Sequence, residues 1–168
     1  MSKKKQNLSE FNAFSHSLTS ATRFGIIVSE WNPEITDALC NGAVDTLLEQ
    51  GFKQTSILTH RVPGSFELPL GAQYLLENAE VDAVICLGCV IQGETRHFEF
   101  ICQAVSQQIS RLNIDYNIPV IFGLLTTDNF EQAKARAGGK HGNKGVEAAI
   151  AAIKMLQLRD NIFPKENS

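Results

Sequence analysis

The chain has 168 residues, of which 43% are hydrophobic and 20% charged, a composition typical of one globular domain and unlike that of a disordered chain. The formal net charge of −3 at pH 7 is too close to balance for a protein that binds the phosphate backbone of nucleic acids. No apolar run reaches the roughly 18 residues of a membrane span, so neither nucleic acid nor a membrane is an expected partner.

The first segment, residues 1–22, is polar with scattered aromatic residues and shows no sustained hydrophobic period. We interpret it as an extended arm, followed by a single domain over residues 23–158 and a short tail over residues 159–168. Polar residues follow Lys3–Lys5 where a secretory signal would need an apolar stretch. We therefore expect a cytoplasmic protein with reduced thiols.

From Arg23 onward, short apolar runs alternate with amphipathic stretches, which is typical of β–α units. Four runs are predicted strands: Phe24–Val28, Thr55–Thr59, Ala83–Ile91 and Val120–Leu125. Because these runs are nearly continuous in apolar residues, both faces of each strand are expected to be covered by helices. The predicted fold is a three-layer α/β/α sandwich around a four-stranded parallel sheet, of the flavodoxin-like class.

Helical periodicity occupies the stretches between the strands. The first predicted helix follows Asn32–Pro33, where proline suits the first turn, and it ends at Gly51. Apolar positions at helical spacing mark four more helices, at Phe66–Leu75, Phe98–Ile109, Asn129–Arg136 and Val146–Leu156. The glycine-rich segment between the last two is predicted to be a joint.

Ligands of open α/β sheets bind at the carboxyl ends of the strands, so the loops after the predicted strands are the first places to look for chemistry. Trp31, the only tryptophan, suits stacking on a heterocycle, although it could equally be a half-buried surface residue. Glu67 begins a helix, where it is either an ordinary first-turn acid or an acceptor for sugar hydroxyls.

The segment after the third strand predicts an anion site. Gly93 allows close backbone approach, and Thr95 lies where the free N–H groups of a helix N-terminus favour a phosphate. His97 follows directly and could transfer protons near pH 7, although a histidine at a helix start is more often a surface or capping residue.

The glycine-rich segment 138–145 concentrates positive charge but lacks the pattern of a nucleotide-binding loop. Arg136, just before it, either offers a planar fork to a phosphate or caps its helix. Cys86 and Cys89 match C-x-x-C formally, yet they lie inside an apolar run, so we interpret them as small hydrophobic residues of a buried strand. No metal site is predicted.

Several segments together resemble the lumazine synthase family, in the family's order and over Arg23 to Leu156. They are Trp31–Asn32, Val62–Pro69, Gly93–Phe98, Pro119–Gly123, Arg136–Gly138 and Gly142–Gly145. The resemblance implies an enzyme of riboflavin biosynthesis, a transferase. It would condense 5-amino-6-(D-ribitylamino)uracil with 3,4-dihydroxy-2-butanone 4-phosphate to give 6,7-dimethyl-8-ribityllumazine, phosphate and water, without a metal or an organic cofactor.

The resemblance also assigns site residues, with His97 as the catalytic proton-transfer residue. The implied residues for the ribitylaminouracil are Trp31, Ser65, Phe66, Glu67, Cys89, Val90, Ile91 and Phe122, the last of these reaching the site from the adjacent subunit. The implied residues for the butanone phosphate are Glu94, Thr95, Arg136 and Lys144.

One departure from the family pattern concerns the phosphate loop, where Gln92 stands in place of the usual arginine. We hypothesise that Arg96 restores positive charge there. The resemblance further implies a homopentamer, with a sixty-subunit icosahedral shell and an enclosed riboflavin synthase as further expectations. Two alternatives stay open: a non-catalytic binder of riboflavin or lumazine, and a homologue that acts chiefly as a shell.

Overall fold

The sheet of the domain contains four parallel strands. The computed structural model describes residues 18–19 and 21–163, so the predicted arm lies almost wholly outside the described residues. The strands are β1 (Phe24–Ser29), β2 (Ile57–Val62), β3 (Ala83–Ile91) and β4 (Val120–Thr127). Their order is β2-β1-β3-β4 and all neighbours are parallel, which confirms the predicted sheet.

Five helices cover the sheet on both faces. They are α1 (Pro33–Glu49), α2 (Leu68–Asn78), α3 (His97–Tyr116), α4 (Phe130–Ala135) and α5 (Lys144–Ile162). Successive side chains of a strand point to opposite faces, so Ile26 packs in the core beneath α1 and α5, while Ile27 packs beneath α2 and α3. The predicted three-layer α/β/α sandwich of the flavodoxin-like class is therefore confirmed.

Strand β2 begins and ends later than predicted. Residues Gln54–Ser56 form a single 3-10 turn, and the strand continues through His60 and Arg61, which are exposed. These polar residues fit a strand because β2 lies at the edge of the sheet and pairs with β1 alone. A search for continuous apolar runs therefore truncates it.

The glycine-rich segment is a small antiparallel hairpin rather than an irregular joint. Its strands are β5 (Ala137–Gly139) and β6 (Gly142–Asn143), and Gly138 and Gly142 adopt positive φ angles of 104° and 82°. Glycine populates such angles without steric cost. The Nδ2 of Asn143 donates to the carbonyl of Ala38, so the hairpin is docked on α1.

Helix α5 extends beyond the predicted end at Leu156 and continues to Ile162. Its last turns expose large apolar residues, among them Leu158, Ile162 and Phe163. Within the described ranges, no helix is long and apolar enough to cross a membrane.

Candidate active site

A cavity of about 870 Å³ lies at the carboxyl ends of β1 and β3, between the 3-10 turn Ser65–Glu67 and the start of α3. It brings together these predicted site residues: Trp31, Ser65, Phe66, Glu67, Cys89, Val90, Ile91 and His97. This is the sheet edge at which ligands of open α/β folds bind.

Trp31 and Glu67 lie side by side over a glycine. A Cβ added at Gly64 would be 3.0 Å from the Oε2 of Glu67 and 3.4 Å from the Cδ1 of Trp31. The absence of a side chain at Gly64 therefore lets the indole and the carboxylate approach each other. Trp31 is 71% exposed, so its ring is available for stacking on a ligand.

The 3-10 turn presents its residues in two directions. Ser65 is buried, and its Oγ lies 3.5 Å from the Oγ of Ser29 at the end of β1. Phe66 is exposed and Glu67 half-buried at the cavity wall, directly before the first residue of α2. The turn thus anchors itself through the serine and directs an aromatic ring and a carboxylate toward the ligand space.

The end of β3 forms an apolar wall of the cavity. Cys89 is 2% exposed, and burial raises the pKa of its thiol to about 11, while burial raises that of Cys86 to about 12. Both thiols are therefore neutral at pH 7. The interpretation of this pair as small hydrophobic residues of a buried strand is confirmed, and all four cysteines are free.

The loop between β3 and α3 is exposed along Glu94, Thr95 and Arg96. The Thr95 Oγ1 accepts a hydrogen bond from the N–H of His97 at 3.4 Å, directly before the first turn of α3. The Arg96 guanidinium pairs with the Glu99 carboxylate at 3.1 Å. Its charge is therefore partly neutralised on α3 rather than directed at the loop.

Arg136 and Lys144 lie away from the cavity lining. The Arg136 guanidinium donates to the carbonyl of His141 at 2.6 Å and pairs with the Glu147 carboxylate at 2.8 Å. The Lys144 ammonium lies 3.3 Å from the same carboxylate, whose side chain is only 11% exposed. Two cations share one anion, so this cluster retains an excess of positive charge that an anion could complement.

Phe122 also lies outside the cavity lining, half-buried on β4 beside the core beneath α2 and α3. The structure therefore does not bring Phe122, Arg136 or Lys144 to the cavity of their own chain. Glu94 and Thr95 do not line the cavity either. They lie in sequence between Ile91 and His97, both of which line it.

Some lining residues escaped the sequence reasoning: Asn32, Gly64, Phe100, Ile101 and Ala104. The last three follow His97 at i+3, i+4 and i+7 on α3, so helical spacing from His97 would have found them. Gly64 carries no chemical group, and only its contacts with Trp31 and Glu67 reveal its role. Among the described residues, no His, Cys, Asp and Glu side chains cluster as a metal ion would require.

A flavodoxin-like sheet whose strand ends hold an aromatic ring, a carboxylate and a histidine around an open cavity defines an α/β enzyme that acts on small molecules. Residues 21–160 match the family described as 6,7-dimethyl-8-ribityllumazine synthase. The chain belongs to this family.

Curated relatives that match this chain over nearly their whole length bear the same name. The 6,7-dimethyl-8-ribityllumazine synthase of Cytophaga hutchinsonii is 60% identical over 156 residues, which cover 93% of this chain and 98% of the relative. That of Porphyromonas gingivalis is 53% identical over 152 residues, covering 90% of this chain and 94% of the relative. That of Bacteroides fragilis is 56% identical over 136 residues, covering 81% and 95%.

Proposed function

We propose that the chain condenses 5-amino-6-(D-ribitylamino)uracil with 3,4-dihydroxy-2-butanone 4-phosphate to form 6,7-dimethyl-8-ribityllumazine in riboflavin biosynthesis. The observation that carries the proposal is the convergence of Trp31, Glu67 and His97 on one cavity in a chain of this family. A non-catalytic binder is not favoured, because His97 borders the same cavity as the stacking and polar residues.

In the proposed complex the uracil ring stacks on the exposed face of Trp31. The backbone of Cys89, Val90 and Ile91 meets the edge of the ring, since the strand end supplies peptide groups beyond the last pairs with β1. The ribityl chain lies along the 3-10 turn, between Ser65 and Phe66. There the Glu67 carboxylate accepts hydrogen bonds from the ribityl hydroxyls.

The butanone phosphate is proposed to bind with its phosphate near Glu94 and Thr95. The positive end of the long helix α3, whose N-cap residue Arg96 makes no side-chain capping bond, favours an anion there. The 5-amino group attacks the butanone carbonyl, water leaves as the imine forms, phosphate departs, and ring closure expels a second water. We propose that His97, the first residue of α3, accepts and returns protons in these steps.

Holding the two substrates in register supplies most of the acceleration, because correct positioning is worth on the order of 7–11 kcal/mol. We propose that a neighbouring subunit completes the site with Phe122, Arg136 and Lys144. This is supported by their position outside the cavity of their own chain and by the excess positive charge of the Arg136 cluster.

The proposed assembly is a homopentamer, and twelve such pentamers are proposed to form a sixty-subunit icosahedral shell that encloses riboflavin synthase. In such a ring one heterologous interface repeats between successive subunits, so each subunit presents one surface to the site of its neighbour. The exposed apolar residues of α2, Leu70 and Tyr74, supply surface that such contacts could bury. The free thiols fit a reducing compartment, and we propose the cytoplasm.

The test mixes the purified chain with both substrates and follows lumazine fluorescence against the uncatalysed condensation. Product is expected well above that background, and Arg136→Ala is expected to raise the KM for the butanone phosphate. Arg111→Ala is the matched control, because it removes an arginine that pairs with a carboxylate, Asp115, on the exposed surface of α3. No acceleration by the unaltered chain would refute the proposed function.

A further inference from the structure

We propose that Asn32 is a positioning residue that fixes the stacking surface of Trp31 by tying the loop after β1 to the end of β3. The proposal rests on the proposed function for its kinetic consequence. Its structural part, that the Asn32 amide orients the indole, is independent of which reaction the cavity performs.

The side chain of Asn32 extends the sheet where the backbone ladder has stopped. The register of β1 with β3 ends at Val28 opposite Leu87, whereas Cys89 lies two residues further along β3. The Nδ2 of Asn32 donates to the carbonyl of Cys89 at 3.2 Å. A side-chain amide thus makes the bond to β3 that a backbone N–H of β1 no longer makes.

The same loop is held on its other side by β2. The N–H of Glu30 donates to the carbonyl of Val62 at 2.9 Å. Trp31 therefore lies between two anchors, one to each strand that flanks β1. Because Trp31 is 71% exposed and its ring meets the chain on the side of Gly64 and Glu67, the position of its backbone, and with it of the ring, depends on these two bonds.

Asn32 also starts helix α1, and its backbone explains why asparagine stands there. Its carbonyl accepts from the N–H groups of Ile35 and Thr36 at 2.9 and 3.0 Å. Its φ and ψ are 58° and 57°, a left-handed conformation that glycine and asparagine tolerate best. Two properties are needed here, a tolerance of the left-handed backbone and an N–H donor for the Cys89 carbonyl. Glycine and aspartate both lack the side-chain N–H, whereas asparagine has both properties.

The decisive variant is Asn32→Gly, which permits the left-handed backbone and removes the amide, and Asn32→Asp checks that added backbone freedom is not the cause of any change. Asn117→Gly is the matched control, because Asn117 is the other non-glycine residue with positive φ in the described ranges and ends α3 away from the cavity lining. Asn32→Asp removes the donor while keeping the side-chain shape.

Trp31 reports on the loop directly, because it is the only tryptophan of the chain. Time-resolved anisotropy of its fluorescence is expected to show a larger fast local rotation in Asn32→Gly and Asn32→Asp than in the unaltered chain and Asn117→Gly. The KM for the ribitylaminouracil is expected to rise about three- to tenfold, as loss of one neutral hydrogen bond implies, with kcat within about twofold.

The proposal is overturned if Asn32→Gly has the same Trp31 anisotropy and the same KM as Asn117→Gly. It is also overturned if Asn32→Gly lowers kcat and leaves KM unchanged. If the unaltered chain forms no lumazine, the proposed function fails by itself. The positioning claim is then decided by the anisotropy and by quenching of Trp31 with the ribitylaminouracil alone, where weaker quenching in Asn32→Gly supports it and equal quenching refutes it.

Discussion

Asn143 joins the hairpin that follows Arg136 to helix α1, and its replacement by alanine tests that junction. Its Oδ1 accepts from the N–H of Gly145 at 2.8 Å and so caps α5, while its Nδ2 donates to the carbonyl of Ala38 at 2.9 Å. Loss of an N-cap costs about 1 kcal/mol, and loss of a partly buried hydrogen bond costs about 1 kcal/mol more. We therefore expect Asn143→Ala to lower the free energy of unfolding by about 2 kcal/mol.

Two matched variants separate these contributions. Asn129→Ala removes the cap of α4, where the asparagine Oδ1 accepts from the N–H of Gln132 at 2.9 Å, and is expected to cost about 1 kcal/mol. Asn143→Asp keeps the capping oxygen and loses the donor to Ala38. Urea unfolding of all variants at one protein concentration measures the differences, since assembly adds a mass-action contribution. An Asn143→Ala cost no greater than that of Asn129→Ala would refute the reasoning.

Two further predictions concern the cavity. His97→Ala is expected to lower kcat about 10²–10⁴-fold without abolishing turnover, because the positioning of the substrates remains; an unchanged kcat in the steady-state assay would contradict proton transfer by His97. Burial raises the pKa of the Cys89 thiol to about 11 and that of the Cys86 thiol to about 12, and only the thiolate form of cysteine is alkylated. Alkylation of both residues, measured by mass spectrometry, is therefore expected to be slow at pH 8 and to accelerate toward pH 11. Rapid labelling of Cys89 at pH 7 would contradict its burial.

The layers of the fold could be predicted because parallel strands that are buried on both faces consist of nearly continuous apolar residues. Ala83–Ile91 is predicted to the residue, since β3 lies in the middle of the sheet and both its faces are covered. The edge strand β2 carries His60 and Arg61, which break such a run. The hairpin after Arg136 is held by glycine conformations and by the Asn143 bond to Ala38, neither of which produces a hydrophobic period.

The cavity could be predicted to the extent that it is built from residues following strands. Trp31, Glu67, Cys89 and His97 converge because parallel strands end at one edge of the sheet. The role of Asn32 could not be predicted, because it depends on where its amide meets β3 after the backbone ladder ends. Sequence spacing also does not tell which copy of the chain supplies a residue such as Arg136, and the fold of one chain leaves it outside the cavity.

The measurement that tests the account most directly is the activity of mixed assemblies of His97→Ala and Arg136→Ala chains, dissociated together and reassembled at equal amounts. If each site joins His97 of one subunit to Arg136 of its neighbour, about a quarter of the sites contain both intact residues, and lumazine formation returns to about a quarter of the unaltered rate. If one chain forms the whole site, no mixed assembly contains an intact site. A rate equal to the average of the two variants measured alone would therefore contradict the account.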